Sequence, residues 1–337
     1  MKEIKTVEAA GHILCHDITQ IIPGEFKGAR FKKGHIVREE DIPVLLSLGK
    51  EHLFVWENDE SMLHENDAAN ILCEICRGEG MSASEPSEGK IELRAEYDGL
   101  FKVDSDALYA LNSLGNICAA TLHGNTPVKK GERLCGMRVI PLAVKKELME
   151  KARSVSARPI LSLLPYVIKR AAVVTTGGEV KNGLIEDKFT PALVRKLAAY
   201  GVEVTENHMP GDDGAAITKA IESCAENGAE LILCTGGMSV DPDDRTPLAI
   251  KNTGADIITY GAPVLPGAMI LMSYLNGVPL IGLPGCVMYA KSTVFDIILP
   301  RVLAGDTLCK EDFIRMGEGG FCRGCAECHY PVCGFGK

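Results

Sequence analysis

From Ala171 to Ala304, strand-like and helix-like runs alternate, and this rhythm constrains the fold more than any other feature of the chain. "AAVVTTGGE" is apolar, rich in β-branched residues and ends on glycines. "TPALVRKLAAYG" then carries apolar residues at helical spacing and stops at Gly201. "VEVTENHMP" predicts a second strand. "DDGAAITKAIESCAENG" predicts a helix with Asp212 or Asp213 as N-cap and Gly228 just past its end. "AELILCTGG" is apolar throughout, as a strand covered on both faces should be. "RTPLAIKNTG" predicts a short helix, "ADIITYGAPV" an extended segment, "VPLIGLPG" a strand and "CVMYAKSTVFDIILPRVLAG" one long closing helix. The pattern implies an α/β fold: a mostly parallel sheet with helices on both faces. Sheets of this kind bind ligands beyond the carboxyl ends of their strands.

Three of the strands end in glycine turns: Thr175-Thr176-Gly177-Gly178, Thr235-Gly236-Gly237 and Leu283-Pro284-Gly285. Glycine lets backbone N–H groups approach a phosphate, and each turn leads towards a helix N-terminus with its positive dipole end. A single such turn is an ordinary strand-to-helix connection. Three in one unit point to a shared anion pocket. Acids recur beside them: Glu179, Glu186 and Asp187 after the first turn, and Asp241, Asp243 and Asp244 after the second. Carboxylates beside a phosphate cradle recruit a hard divalent cation such as Mg²⁺, which binds oxygen and bridges to the phosphate. One of these acids could simply cap the next helix. A cluster of three repels itself unless something neutralises it. Arg245 could pair with an aspartate or touch a phosphate.

A formal net charge of −9 and an aromatic content of 5% argue against a nucleic-acid binder. No apolar run is long enough to span a bilayer, and the N-terminus carries no apolar targeting segment, so a cytoplasmic location is expected. Residues 1–165 read as a β-rich α+β domain, divisible into 1–65 and 66–145, and residues 166–306 as the α/β domain. Within the first, "GEGMSASEPSEG" predicts a loop, and "AVKKELMEKARSV" predicts a helix linking to the second domain. Cys73-x-x-Cys76 stands alone and reads as two ordinary thiols on one helix face.

Residues 307–337 form a cysteine-rich tail. Cys322, Cys325, Cys328 and Cys333 are spaced x2, x2, x4, with His329 beside the third. This approaches the bacterial iron–sulfur run C-x₂-C-x₂-C-x₃-C, although Pro331 precedes the last cysteine instead of following it. Zinc held by Cys₄ or Cys₃His is the competing assignment, and free thiols on an unstructured tail are the plain alternative.

"TGGMSVDPDDRTPLAI", "TTGGEVKNGLIEDKFTPAL" and "GLPGCVMYA" together resemble the molybdopterin-binding domain of molybdenum-cofactor biosynthesis proteins, over most of Ala171–Gly305. "GGMSV" resembles the molybdopterin molybdotransferase version; "PDDRTP" and "IEDKFTPAL" resemble the adenylyltransferase version. The resemblance implies a three-layer αβα fold and, as ligand, molybdopterin or its adenylylated form, with Mg²⁺ and with or without molybdate. It also implies a homo-oligomer. Thr176, Gly177, Gly178, Glu179, Thr235, Gly236, Gly237 and Ser239 fall on ligand-binding positions by motif, and Pro284 and Gly285 on the loop against the pterin. Asp241, Asp243 and Asp244 would hold the metal, with Asp244 and Asp187 acting in catalysis. The lysine-bearing "KPGK" stretch of the molybdotransferases is Leu265-Pro266-Gly267-Ala268 here, and their "PGNP" loop is "PGCV", with Cys286. Two roles follow: an enzyme of cofactor assembly (adenylylation or metal insertion), or a non-catalytic carrier or sensor serving a molybdoenzyme partner. "PDDRT" also resembles competence-damage-inducible protein A, whose family acts on nucleotides.

Overall fold

In a computed structural model of the protein, which describes residues 2–22, 25–55, 61–178, 186–239 and 244–337, the chain divides into two units. One comprises Met1–Tyr97, Lys102–Gly124 and Lys129–Leu163; the other comprises Asp98–Phe101, Asn125–Val128 and Leu164–Lys337.

The first unit is built from short antiparallel pairings. Lys2–Lys5 pairs with His52–Val55, and Ile18–Ile22 with Phe26–Phe31, around a small core that includes Leu14, Leu45 and Leu53. A four-stranded antiparallel sheet follows, in the order Met81–Ala83, Lys90–Ala95, Arg133–Val139, Ile117–Thr121. Helix Glu65–Cys76 buries Leu72, Cys73 and Cys76. Burial pushes the Cys76 thiol up to about 12, so it is inert as a nucleophile. Two expectations change here. The Gly/Ser/Pro-rich stretch contains the edge strand Met81–Ala83, whose partner Leu93–Ala95 supplies the ladder. The charged helix, Lys146–Arg153, lies within the first unit and is not a linker, because it buries Met149 and Ala152.

The second unit is the α/β layer structure, and its elements are numbered here. They are β1 (Arg170–Thr175), α1 (Phe189–Ala198), β2 (Glu203–His208), α2 (Gly214–Glu226), β3 (Leu231–Thr235), α3 (Thr246–Asn252), β4 (Asp256–Tyr260), β5 (Leu271–Leu275), β6 (Val278–Leu283), α4 (Val294–Leu303) and α5 (Lys310–Arg315). The sheet order is β2-β1-β3-β6-β5-β4. The pairs β1–β2, β1–β3 and β3–β6 are parallel, and β5 is antiparallel to both neighbours. Side chains alternate across the strands. Ala171 and Val173 of β1 join Leu231 and Leu233 of β3 in one core with Leu193, Leu197 and α4. Ala172 and Val174 join Ile232 and Cys234 in the other, against Ile217 and Ile221 of α2. Each valine, leucine or isoleucine among them, fully buried, contributes about 1.5–3 kcal/mol. Two cores on opposite sheet faces make the three layers.

Reading "VPLIGLPG" as a lone strand omits its partner β5. Asn276 and Gly277 join the two, with φ of 50° and 86°. This two-residue Asn-Gly turn between apolar runs is the strongest short-range hairpin signal. The closing helix is also split. Gly285–Met288 forms a separate 3-10 turn, and α4 starts afresh where the Thr293 hydroxyl accepts from the Phe295 amide and the Asp296 carboxylate accepts from the Thr293 amide.

Every residue of α4 except Asp296 is buried. A helix apolar on all sides needs cover on all sides. The tail supplies part of it: Phe335 lies in the same core, and Tyr330 and Cys333 pack against that core. Pro300 inside α4 has no N–H to offer the Asp296 carbonyl one turn back. The Tyr330 hydroxyl donates to that carbonyl instead, at 2.9 Å. The tail is therefore part of the fold.

Arg301 is buried on α4 and pairs with Asp306 at 2.6 Å and Asp312 at 2.9 Å. Burial alone would raise the Asp312 carboxyl, but hydrogen bonds from the Cys309 amide and Arg301 hold it below its ordinary value. That contribution to stability is complete above about pH 4, the unfolded-state value. It is lost as pH falls through the lower folded value. Arg301→Met leaves two carboxylates without their buried cation, and about 3–5 kcal/mol of stability is expected to go with it at pH 7. Urea unfolding at pH 7 and below pH 4 checks both statements: the gap between wild type and variant should narrow in acid.

Candidate functional site

The carboxyl ends of β1, β3 and β6 lie in one row, with Thr175 opposite Thr235 and Thr235 opposite Leu283. The three glycine turns therefore follow one another along a single edge. The first two are tied by threonines. The Thr176 amide and hydroxyl both donate to the Thr235 carbonyl, at 2.8 and 3.1 Å. The Thr176 hydroxyl also meets that of Thr246 at 3.1 Å, and the Thr246 hydroxyl donates to the Gly236 carbonyl at 2.8 Å. Thr175, Thr176, Thr235 and Thr246 are all buried. The Thr235 hydroxyl is buried and has no hydrogen-bond partner among the described residues.

Gly236 has φ +82° and sits so close to the first turn that a Cβ there would lie 2.4 Å from the Thr176 carbonyl oxygen. Only glycine satisfies both the angle and the approach. Gly178 donates its amide to the Asp212 carboxylate at 2.6 Å. Asp213, not Asp212, is the N-cap of α2, accepting from Ala215 at 3.1 Å. A negatively charged oxygen thus already sits on one amide of the first Thr-Gly-Gly turn.

The other anticipated residues differ in exposure and contacts. Gly177 and Gly237 are half-buried in their turns, Ser239 is exposed, Pro284 is buried and Gly285 exposed. Asp187 accepts from the Phe189 and Thr190 amides at 2.8 and 3.1 Å, which makes it a cap on α1. Asp244 is half-buried just before α3. Burial, and secondarily the charge of Asp244, raises the phenol of Tyr260, whose hydroxyl donates to the Met238 carbonyl at 3.1 Å. Arg245 is exposed and makes no ion pair among the described residues. Glu179, Asp241 and Asp243 lie outside the described residues.

Thr246 and Asp212 were not anticipated as site residues. Both act through contacts with distant turns, which local sequence patterns do not report. Leu265-Pro266-Gly267-Ala268 is bound to the tail: the Leu265 amide donates to Gly320, and the Cys322 amide to Leu265, each at 2.8 Å. Cys322, Cys325, Cys328 and Cys333 all line one cavity of about 650 Å³. Among the described residues, one group of three acidic, histidine or cysteine side chains brings its ligand atoms within 4.8 Å of one another: Glu206, His208 and Cys224. Glu206 accepts from His208 at 2.9 Å and from Asn227 at 3.1 Å. Burial pushes the Cys224 thiol up to about 12. A hydrogen-bonded cluster accounts for this group, since a thiol metal ligand must ionise. None of the described helices is long and apolar enough to cross a membrane.

Residues 172–304 match the family model described as a probable molybdopterin binding domain. Residues 3–57 match that of a domain of unknown function, DUF8806. A CinA-like protein of Mycobacterium tuberculosis is 36% identical over 80 residues, covering 24% of this chain and 19% of that protein. A molybdenum cofactor biosynthesis bifunctional protein of Synechococcus elongatus is 34% identical over 85 residues, covering 25% of this chain and 27% of that protein. The matched stretches thus span about a fifth to a quarter of these relatives' length. Similar solved structures include the molybdopterin biosynthesis enzyme MoaB from Thermus thermophilus, at 20% identity and TM-score 0.35, covering 42% of this chain and 99% of that one. The molybdopterin biosynthesis MoeA protein from Pyrococcus horikosii, at 15% identity and TM-score 0.35, covers 72% of this chain and 79% of that one.

Proposed function

Starting from a molybdopterin-binding domain at residues 172–304, we propose that the protein binds the phosphate of molybdopterin, or of its adenylylated form, along the edge where the three glycine turns meet. Mg²⁺ accompanies the phosphate, and the role lies in molybdenum cofactor biosynthesis. The observation that carries this reading is the alignment of the three glycine turns at the carboxyl ends of the neighbouring parallel strands β1, β3 and β6. Thr176, Gly177, Gly236 and Gly237 frame the same place, and Pro284 and Gly285 border it.

The residues present suit a hard cation. Asp244 and Asp212 stand beside the turns and offer oxygen, the donor Mg²⁺ takes. Asp244 would hold the ion; Mg²⁺ would supply the charge that lets a phosphate sit among carboxylates. Arg245, exposed and without an ion pair among the described residues, would add a second positive charge to the phosphate. Asp187 caps α1, the next helix after the first turn. The resemblance of "PDDRT" to competence-damage-inducible protein A implies a second reading, a nucleotide as the natural ligand.

Equilibrium binding of molybdopterin, adenylylated molybdopterin and ATP, each with and without Mg²⁺, separates these readings. Both pterins are expected to bind only with Mg²⁺. Adenylyl transfer from ATP, or AMP release with molybdate, would mark an enzyme; binding without turnover would mark a carrier. ATP binding with no affinity for either pterin would overturn the proposal in favour of the nucleotide reading.

A further inference from the structure

The tail is held at three places around its cysteines. The Leu265–Phe321 bridge fixes its start. The Tyr330 hydroxyl, donating to the Asp296 carbonyl at 2.9 Å, fixes its middle, and Phe335 in the core fixes its end. Between these anchors, Cys322, Cys325, Cys328 and Cys333 all face one cavity of about 650 Å³, whose wall also includes Phe321, Tyr330 and Phe335. The nine other cysteines of the chain's thirteen are not part of this wall. Four cysteines spaced x2, x2, x4 on an anchored loop thus line one void.

The spacing of the sulfurs favours a cluster over a single zinc. A tetrahedral zinc holds each sulfur at ~2.3 Å, which draws the sulfurs to about 3.8 Å from one another. No three of these four sulfurs lie within 4.8 Å of one another. A polynuclear cluster accommodates a wider spacing, because its thiolates are shared among several metal atoms bridged by inorganic sulfide. The surroundings suit a negatively charged group. Arg323 and Lys291 line the cavity, and the Ser292 hydroxyl lies 3.1 Å from the Cys328 sulfur. The Lys291 ammonium donates to the Ala326 carbonyl at 2.7 Å, bracing the loop between the second and third cysteines.

We infer that Cys322, Cys325, Cys328 and Cys333 ligate an iron–sulfur cluster in this cavity, each thiol giving up its proton on binding iron. The inference does not depend on the pterin reading. A second cavity, lined by Val287, Met288 and Tyr289, shares Lys291, Ser292 and Cys328 with the first. The cluster would thus adjoin the segment that follows Pro284-Gly285.

The test uses the full chain purified without oxygen, then supplied with ferrous and ferric iron in equal amounts and with sulfide. Iron and acid-labile sulfide are expected in equal amounts, with a broad visible absorbance that dithionite bleaches. Cys325 and Cys328 are exposed, so Cys325→Ser and Cys328→Ser should keep the fold, checked by circular dichroism and thermal melting, and lose most of the iron. Cys118→Ser and Cys309→Ser, exposed thiols outside the cavity, should retain it. Zinc without sulfide, no bound metal, or iron that survives both tail substitutions would overturn the inference.

Discussion

Asp244→Asn is expected to weaken Mg²⁺-dependent pterin binding by at least about 100-fold, because losing even an outer-sphere partner of a metal typically costs 10–100-fold. The substitution keeps size and shape and removes only the charge. Asp187→Asn provides the contrast. Asp187 caps α1 through the Phe189 and Thr190 amides, so its loss should cost stability, about 1 kcal/mol, rather than metal dependence. Calorimetric titration of both variants, with and without Mg²⁺, reads the difference. Equal binding by wild type and Asp244→Asn would remove Asp244 from the site.

Gly236→Ala should abolish ligand binding and destabilise the second unit by about 2–5 kcal/mol, from backbone strain at positive φ together with overpacking. The added methyl would lie 2.4 Å from the Thr176 carbonyl oxygen and 2.8 Å from its hydroxyl, so the two Thr-Gly-Gly turns must separate. Gly254→Ala is the matched control: its φ of +77° is nearly the same, but its Cβ would meet nothing within 4 Å. Only the strain remains there, about 1 kcal/mol. Thermal melts of the two variants, compared with ligand affinity, separate strain from loss of the close approach. If Gly236→Ala binds as wild type does, the turns need not touch for the site to work.

The α/β rhythm was legible because a strand covered on both faces is apolar without interruption, as all five buried residues of β3 illustrate. The alignment of the turns followed from the parallel order of β1, β3 and β6, which alternation with helices implies. Pairings across the sheet were less legible. The hairpin β5–β6 carried an Asn-Gly signal, but its first strand is "LMSYL", apolar enough to pass for part of any buried segment. The ties between turns could not be read at all. Thr176 meets Thr246 across 70 residues, and Asp212 was freed from capping α2 only because Asp213 does it. The tail's folded state did leave a trace in "VFDIILPRVL". A helix buried along nearly its whole length and carrying an internal proline requires both an outer layer and a donor for the Asp296 carbonyl, and Tyr330 provides the donor.

The central claim is that the phosphate is held where the Thr-Gly-Gly turns meet. Amide hydrogen exchange of the full chain, with and without molybdopterin and Mg²⁺, tests it most directly. Slowed exchange is expected, concentrated in Thr176–Gly178 and Gly236–Gly237, and none of it when Mg²⁺ is withheld. Ligand-dependent protection elsewhere in the chain, with both turns exchanging as before, would contradict it.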